Sequence, residues 1–385
     1  MEGELKETIQ SYVRNHAAEQ LEFTVALCNQ NSYTYNARGT NAVAGMLLDR
    51  LGDILPRVET VRQADVGDHH ILRTRPADRS ICLLGHMDTV FPPDHPFQEC
   101  RVDGEWLAGP GTGDMKGGLA VMAYALLALH DSGILDGLDV TLILSADEEI
   151  GAVTSRPIYE RERAHAGVCL VAECAGPGGE AVVSRNGKAG LSLECFGEDR
   201  HVGRVSEGKR SAVLEMAHKV LAMEALNGCF PGVTVNVGRV EGGLGPCTVP
   251  AHADCVVDIR WFEDKHYDMM LRRLRDIADR PHCPGCECTI KVFNHRPAMP
   301  PNDGSEALYE MLEGLARSLG IPLGREHRRG TSDANFFGSA GIPTLDGLGP
   351  VCRDDHTPKE RILISSLGAR TVLLALLLAE LGQWR

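Results

Sequence analysis

Residues 81–90 read ICLLGHMDTV, a short apolar run that ends in a histidine and an aspartate. The run has no polar alternation, which is typical of a strand covered on both faces. Two similar runs follow, VTLILSA at 140–146 and VCLVA at 168–172. Between the first two runs lies GGLAVMAYALLALHDSG, which is long enough for a buried helix with a glycine stop. This alternation predicts an α/β fold with a mainly parallel sheet.

The pattern changes near residue 187, where strands begin to alternate as if half exposed. From residue 187 to residue 296 the predicted elements follow the order βαββαβ, the ferredoxin-like split unit. After Arg296 the α/β style returns, with SEALYEMLEGLARSLG as a helix. The chain has 385 residues, which is long for a single core. We therefore expect a larger domain in two parts, residues 1–186 and 297–385, with an inserted domain at 187–296.

Composition excludes several classes of protein. The formal net charge of -14 and the pI near 5.5 would repel nucleic acid and anionic lipid. No uninterrupted apolar stretch approaches the ~18 residues of a membrane-spanning helix, and the charged N-terminus does not resemble a signal peptide. The thirteen cysteines are scattered through apolar runs, so disulfides are not implied. We expect a cytoplasmic protein with a small-molecule or peptide substrate and no nucleic-acid or membrane partner.

Ionisable residues recur where apolar runs end or where a glycine-rich turn opens a helix. Each is unremarkable alone, because a turn aspartate, a solvated carboxylate or a hydrogen-bonded histidine is common at such places. Open α/β sheets, however, bind ligands at the carboxyl ends of their strands. If every one of these groups follows a strand of the same sheet, five of them can converge on one edge. They are His86, Asp114, Glu149, Glu173 and His356.

The five side chains have the composition of a metal site for two ions. If one carboxylate bridges, each ion receives a histidine, a glutamate, a share of the aspartate and a shared water, which makes zinc's usual four ligands. Asp88, two residues after His86, could accept a hydrogen bond from the imidazole nitrogen that does not bind metal and so fix the tautomer of the ring. Of the adjacent carboxylates Glu148 and Glu149, one can bind metal while the other stays free as a base.

A set of motifs along the chain resembles a known enzyme family. The motifs are HMDTV, DMKGG, DEEIG, the glutamate after the next strand, GTSDANFFGSAGIPTLDGLGP and a closing HTP. In this order they resemble the co-catalytic zinc amidohydrolases and exopeptidases. That group includes glutamate carboxypeptidase, acetylornithine deacetylase, succinyl-diaminopimelate desuccinylase and aminoacylase. The resemblance runs from roughly residue 80 onward and is nearest to the glutamate carboxypeptidase-like branch.

The resemblance implies two Zn²⁺ ions per subunit, with Co²⁺ or Mn²⁺ as substitutes. One zinc would be held by His86, Asp114 and Glu173, and the other by Asp114, Glu149 and His356. Asp88 would orient His86, and Glu148 would be the general base. The resemblance also implies a cis peptide bond after the bridging aspartate, between Asp114 and Met115.

The inserted domain resembles the family's lid and dimerisation domain, so we expect a homodimer formed through it. His201 matches a lid histidine that reaches the active site of the other subunit, although an ordinary loop histidine is the alternative. Arg296 matches the arginine that grips the substrate's free carboxylate, with a salt-bridged surface arginine as the alternative. One residue departs from the pattern: Cys247 stands where the family usually has asparagine. A thiol is a weaker hydrogen-bonding group than an amide. If the asparagine holds the substrate or its oxyanion, Cys247 implies an altered substrate, a lower activity or a compensating group.

A cysteine-rich segment of the inserted domain is left over. HCPGCEC at 282–288 brings Cys283, Cys286 and Cys288 close together beside His282. A second metal site is one interpretation. Against it, the segment falls in a helix-to-strand loop and lacks a second cysteine pair at zinc-ribbon spacing.

The resemblance implies a zinc-dependent amide hydrolase of the metallo-exopeptidase or carboxypeptidase kind. Its expected substrate is a short peptide or N-acyl amino acid with a free carboxylate, attacked by a hydroxide that bridges the two metals. One alternative is a biosynthetic N-acyl-amino-acid deacylase. Another is a weakened metalloprotein that binds such conjugates without turnover, which Cys247 keeps open.

Overall fold

The computed structural model describes residues 2–205 and 208–383, which form two compact units. Unit 1 contains the described residues up to 184, residues 301–328 and the described residues from 332 onward. Unit 2 contains residues 185–300 together with residues 329–331. The inserted segment predicted at 187–296 therefore lies within unit 2, and the short stretch 329–331 is an addition that the sequence did not indicate.

The elements are numbered in chain order. The helices are α1 (Glu2–Asn15), α2 (Ala17–Asn29), α3 (Ala37–Leu51), α4 (Gly117–Asp131), α5 (Arg156–Glu162), α6 (Ala212–Glu224), α7 (Asp264–Asp279), α8 (Asp303–Leu319), α9 (Ala334–Gly338) and α10 (Ile364–Leu381). The strands are β1 (Arg57–Val61), β2 (His69–Arg73), β3 (Ser80–His86), β4 (Arg101–Asp103), β5 (Trp106–Ala108), β6 (Val140–Ser145), β7 (Ala166–Val171), β8 (Ala181–Arg185), β9 (Gly187–Phe196), β10 (Arg200–His201), β11 (Thr234–Gly242), β12 (Thr248–Val249), β13 (His252–Trp261), β14 (Glu287–Arg296), β15 (Arg325–Arg328), β16 (Thr344–Leu345), β17 (Cys352–Arg353) and β18 (Arg361–Leu363). Single helical turns lie at Leu135–Gly137, Glu148–Ile150, Arg163–His165 and Val202–Arg204, and an irregular turn lies at Thr112–Lys116.

Unit 1 is built on a six-stranded sheet with the order β1-β2-β6-β3-β7-β16. The four strands β6, β3, β7 and β16 run parallel, whereas β2 pairs antiparallel with β6 and β1 pairs antiparallel with β2 at one edge. Every residue of β3 and β6 is buried, as expected for central strands with both faces covered. These observations confirm the prediction of an α/β fold with a mainly parallel sheet.

Helices α4 and α10 form much of the core of unit 1. They pack against each other, and α4 also contacts β3. By length and composition α10 could span a membrane, but 72% of its 18-residue window is buried inside the protein. The apolar sequence of α10 is therefore accounted for by its place in the core, where hydrophobic burial stabilises the fold.

Several short strands of unit 1 were not indicated by the sequence. They include the antiparallel pair β1 and β2 and the four-stranded sheet β17-β18-β5-β4. Strands of two or three residues contain too few positions for a periodic signal. The segment HHILR of β2 begins with two histidines, so it lacks the apolar run that would predict a buried strand. The first four residues of this strand are nevertheless buried.

Unit 2 contains a four-stranded antiparallel sheet with the order β11-β13-β9-β14. With α6 between β9 and β11 and α7 between β13 and β14, its main elements follow the predicted order βαββαβ. Alternate residues of β13 are buried, so one face of the sheet packs into a core that also contains residues of α6 and α7. The small pair β10 and β12 lies outside this sheet.

Candidate metal centre

Three candidate side chains lie at the carboxyl edge of the parallel sheet. His86 is the last residue of β3, Glu149 lies in the single turn that follows β6, and Glu173 follows β7. Because β6, β3 and β7 are neighbours and run parallel, their carboxyl ends meet at one edge of the sheet. The topology therefore brings together residues that are up to 87 positions apart, from His86 to Glu173.

The other two candidates reach the same place from different elements. Asp114 lies in the irregular turn before α4, and His356 lies in the loop between β17 and β18 with a positive φ of 58°. The expectation that all five groups follow strands of one sheet is wrong for these two. A glycine-rich turn that contacts β3 and an exposed loop of the small sheet supply them instead.

Asp114 stands between the two histidines. Its Oδ1 lies 2.8 Å from Nε2 of His86, and its Oδ2 lies 2.7 Å from Nε2 of His356. On the first side, Oε1 of Glu173 lies 3.5 Å from the same nitrogen of His86. On the second side, Oε2 of Glu149 lies 3.3 Å from the same nitrogen of His356. The five residues thus form two sets, each of one histidine and one glutamate, that share the Asp114 carboxylate.

The carboxylates of this cluster are held in an unfavourable electrostatic state. Burial and the nearby charge of Asp114 raise the pKa of Glu173 to about 8. Burial and Asp114 likewise raise the pKa of Glu149 well above its ordinary value. Oε1 of Glu149 is buried and has no hydrogen-bond partner among the residues that the structure describes. Adjacent buried carboxylates of this kind need positive charge between them.

The neighbouring carboxylates favour positive charge on the two histidines. Hydrogen bonds to Asp114 and Glu149 raise the pKa of His356 to about 12. Burial lowers the pKa of His86, but its hydrogen bonds with Asp114, Asp88 and Glu173 outweigh burial, so its pKa lies well above the ordinary value. A proton on each imidazole is one way to neutralise the cluster, and a divalent cation held by the same atoms is another.

The tautomer of His86 suits a metal ligand. Its Nδ1 lies 3.0 Å from the main-chain carbonyl oxygen of Asp88, which can only accept a hydrogen bond. In the neutral ring Nδ1 therefore carries the proton, and Nε2 presents its lone pair toward Asp114. Asp88 was predicted to orient His86, and its carboxylate Oδ1 is somewhat farther from Nδ1, at 3.4 Å.

The carboxylate of Asp88 also accepts hydrogen bonds from the turn that follows β6. Its Oδ1 accepts a hydrogen bond from the main-chain N–H of Glu148 and its Oδ2 accepts one from that of Glu149, both at 3.2 Å. The hydroxyl of Thr34 donates to Oδ2 at 2.7 Å. Asp88 therefore connects the end of β3 to the turn that carries Glu148 and Glu149, which fixes the turn relative to His86.

Two supporting groups were missed in the sequence. Oε1 of the buried Glu360 accepts hydrogen bonds from the main-chain N–H groups of Gly113 and Asp114, at 2.8 and 3.1 Å. His69 lies behind the turn after β6, where Nδ1 accepts from Ala146 N–H at 3.2 Å and Nε2 lies 2.8 Å from the Thr154 hydroxyl. Both residues accept hydrogen bonds from main-chain N–H groups near the ligands. Their residue type and spacing in the sequence therefore did not indicate a role at the site. The peptide bond between Asp114 and Met115 is cis, as the resemblance implied.

The donor set fits a pair of divalent metal ions. One donor atom each from His86, Asp114 and Glu149 lie within 4.8 Å of one another. With Asp114 shared, each ion would receive three protein ligands of imidazole and carboxylate type and keep an open position. This is the ligand number and chemistry of catalytic zinc sites, in which the open position takes water or substrate. The orphaned oxygen of Glu149 is likewise accounted for by a cation.

The remaining predicted site residues are one residue of unit 1 and three residues of unit 2. Glu148 is half-buried in the turn beside Glu149. In unit 2, His201 is exposed in β10, and its Nδ1 accepts from the N–H of Gly203 at 3.1 Å. The carbonyl oxygen of the exposed Cys247 accepts from the N–H of Val202 at 3.0 Å, so Cys247 and His201 are neighbours. Arg296 is buried at the end of β14. The roles predicted for these four residues stay predictions.

Comparisons with known proteins agree with this geometry. The sequence profile of peptidase family M20/M25/M40 matches residues 82–380. Carboxypeptidase G2 from Pseudomonas sp. (strain RS-16) is 27% identical over 367 residues, covering 92% of this chain and 88% of the relative. A succinyl-diaminopimelate desuccinylase from Pseudomonas syringae pv. syringae is 27% identical over 361 residues, covering 85% and 88%.

Solved structures share the fold. Aminopeptidase PepT from Bacillus cereus superposes with a TM-score of 0.77 at 23% identity, covering 94% of this chain and 98% of that one. The YXEP protein of Bacillus subtilis, described as a dinuclear metal-binding peptidase, gives a TM-score of 0.70 at 14% identity, covering 96% and 99%.

Replacing Asp114 with alanine tests the shared carboxylate. Because one side chain faces both histidines, its loss is expected to weaken both metal positions, whereas loss of a private ligand would weaken one. We expect dialysed Asp114→Ala protein to retain clearly less than the metal content of the parent, measured by elemental analysis. Asp103→Ala, an exposed aspartate of β4, is the matched control and should not change the content. Two tightly bound ions in Asp114→Ala would show that Asp114 does not bridge.

Proposed function

The chain belongs to the peptidase family M20/M25/M40, and from this premise we propose that it releases an amino acid from a short peptide or an N-acyl amino acid. It is a metal-dependent hydrolase of amide bonds. The observation that carries the proposal is the position of Asp114, whose two oxygens face two histidines backed by two glutamates. A shared carboxylate of this kind is suited to a pair of ions that act on one bond.

We propose two Zn²⁺ ions per subunit, for which Co²⁺ or Mn²⁺ can substitute. His86, Asp114 and Glu173 would hold one ion, and Asp114, Glu149 and His356 would hold the other. When bound, such ions polarise the amide carbonyl and lower the pKa of water toward ~7. Imidazole and carboxylate groups are ligands that zinc, cobalt and manganese all accept.

Glu148 is the proposed general base. It follows the same strand as the ligand Glu149, and its main-chain N–H is held by Asp88. That hydrogen bond keeps Glu148 beside the metal ligands while its carboxylate is left out of the ligand set. In the proposed reaction Glu148 takes a proton from the attacking water and returns it to the leaving amine. General acid–base catalysis by one such group contributes roughly 10²–10⁴-fold to the rate.

Arg296, His201 and Cys247 are the proposed substrate-binding residues of unit 2. A guanidinium can form two parallel hydrogen bonds with a carboxylate, which supports Arg296 as the group that selects a substrate with a free carboxylate. His201 would steady the developing negative charge on the carbonyl oxygen in the other subunit's site. Since Cys247 is adjacent to His201, its thiol in place of an amide would alter the same contact.

A homodimer formed through unit 2 is part of the proposal. Large apolar side chains of this unit are exposed on α6 and around the end of β11, namely Val213, Leu214, Leu221, Val240 and Leu244. In β11, an edge strand of its sheet, only Val235 is buried. Exposed apolar side chains beside an open sheet edge are suited to a protein–protein contact. We also propose a cytoplasmic location, which the thirteen unbridged cysteines support.

A biosynthetic N-acyl-amino-acid deacylase is the second candidate. The similarity to succinyl-diaminopimelate desuccinylase favours it, because that relative aligns over most of both chains. The metal ligands and Glu148 would serve either substrate class, so the difference between them lies in contacts to the acyl group. A protein that binds conjugates without turnover is disfavoured by the presence of Glu148 beside the ligand cluster.

A substrate panel tests the proposed activity. We expect the zinc-loaded protein to hydrolyse at least one member of a panel of dipeptides, γ-glutamyl amino acids and N-acyl amino acids. Capping the free carboxylate of that substrate as its carboxamide should lower kcat/KM by roughly tenfold to a hundredfold, since a hydrogen bond to a charged group contributes about 1.5–3 kcal/mol. Equal turnover of free and capped substrates would contradict recognition of the carboxylate.

Replacing Glu148 with glutamine separates the base from the metals. Glu148→Gln preserves shape and removes the carboxylate, so the variant should keep the parent's metal content and lose activity by about 10² or more. Glu160→Gln, an exposed glutamate of α5, is the control and should retain activity. Near-normal turnover by Glu148→Gln would exclude it as the base.

Mixed dimers test the role of His201. If His201 acts in the other subunit's site, a heterodimer of Glu148→Ala and His201→Ala subunits contains one site with both groups intact. We expect each homodimeric variant to be impaired and the mixture to recover a measurable share of the activity after subunit exchange. Absence of any recovery, with heterodimers verified by differential tags, would contradict catalysis across subunits.

A further inference from the structure

The cysteine-rich segment at 282–288 has no part in the proposed reaction, and its surroundings in unit 2 are distinctive. It forms the connection between α7 and β14, and both Cys283 and Cys286 are only 3% exposed. The N–H of Cys286 donates to the carbonyl of Cys283 at 3.0 Å, and Gly285 takes a φ of 83°. This positive φ, which favours glycine, closes a tight turn that directs both thiols into the interior.

A fourth thiol joins the segment from a distant part of the chain. Cys288 in β14 lies directly opposite Cys195 in the antiparallel strand β9, and their Sγ atoms are 2.8 Å apart. Sequence spacing could not reveal Cys195, which precedes the segment by about ninety positions. Cys195 and Cys288 thus form a second pair of thiols in unit 2, although not at the zinc-ribbon spacing sought in the sequence.

Glu215 on α6 holds the turn next to these thiols. One of its oxygens, together with the Sγ atoms of Cys283 and Cys286, falls within 4.8 Å of the others. Both carboxylate oxygens are already engaged: Oε1 and Oε2 accept from His282 N–H, Oε2 accepts from Cys283 N–H, and Lys219 Nζ lies 2.9 Å from Oε1. Glu215 therefore orients the turn, and the thiols are the groups left to bind a ligand.

Without a cation, the thiols of Cys283 and Cys286 favour the neutral form. Burial, Cys283 and the Glu215 carboxylate raise the pKa of Cys286 to about 11, and burial and Glu215 raise the pKa of Cys283. Ionised thiols beside Glu215 would accumulate uncompensated negative charge in a buried place. A soft cation that binds thiolate provides that compensation and displaces the protons to solvent.

We propose that Cys283 and Cys286, whose thiols lie together, bind one divalent cation of the Zn²⁺ class as a structural site in unit 2, and that the thiol pair Cys195 and Cys288 completes its ligands. Four cysteine thiolates in a closed tetrahedral arrangement are typical of structural zinc, and a C-x₂-C pair on a tight turn is a common half of such sites. The bound ion would join the turn before β14 to the neighbouring strand β9. The proposal is independent of the amide hydrolysis proposed above, because it uses none of the same residues.

Cobalt absorbance separates this site from the metal centre of unit 1. The candidate ligands of unit 1 are nitrogen and oxygen atoms, so a thiolate-to-cobalt charge-transfer band in the near ultraviolet can arise only from cysteine. We expect full-length reduced protein titrated with Co²⁺ to develop this band. Zinc-loaded protein should contain about one ion more per chain than the variant Cys283→Ser/Cys286→Ser, by elemental analysis. Cys229→Ser, an exposed cysteine of the same unit, is the matched control and should behave as the parent.

The proposal can also be tested on the parent protein, so the test does not depend on folding of the double variant. Zinc should protect Cys283 and Cys286 from alkylation in reduced protein, as read by peptide mass mapping, while Cys229 stays reactive. Absence of the charge-transfer band, or equal alkylation with and without zinc, would overturn the proposal. Intact mass showing that the four thiols are instead joined as disulfides in protein isolated without reductant would also overturn it.

Discussion

The structure of unit 1 depends on one electrostatic constraint at the edge of its sheet. Three carboxylates, those of Asp114, Glu149 and Glu173, are packed where burial disfavours their charge. Burial alone would raise the pKa of Asp114 as well, but hydrogen bonds from His356 and His86 hold it below its ordinary value. Such a cluster is stable only with positive charge among its members. Divalent ions shared through Asp114 would satisfy this constraint, and the proposed chemistry of the site would follow from the same ions.

The fold meets the constraint by fixing backbone as well as side chains. Parallel pairing of β6, β3 and β7 aligns the ends from which His86, Glu149 and Glu173 project. Asp88 then holds the turn after β6, and Glu360 holds the turn that carries Asp114. A metal site needs partners of this kind behind its ligands, because ligand orientation determines the geometry available to the ion. The supporting hydrogen bonds therefore link sequence segments far apart into one rigid edge.

Much of this arrangement could be predicted from sequence, for physical reasons that differ between residues. Buried parallel strands are uniform apolar runs, so β3, β6 and β7 were visible together with the ionisable residues that end them. Asp114 was predicted as a ligand in the glycine-rich turn that opens α4. His356 was also predicted as a ligand, but the loop between β17 and β18 that carries it was not, because strands of two and three residues have no periodicity. Glu360 and His69 act on main-chain groups, and Cys195 approaches Cys288 only through strand pairing. Contacts of this sort depend on tertiary register, which residue spacing does not encode.

The central claim is that two ions share Asp114 at the edge of the parallel sheet. The most direct measurement is an anomalous difference map from crystals of the zinc-loaded protein, recorded on both sides of the zinc absorption edge. We predict two separate peaks in unit 1, one against His86 and Glu173 and one against Glu149 and His356, with an Asp114 oxygen coordinating each. A single peak in unit 1, or two peaks of which only one contacts Asp114, would contradict the account.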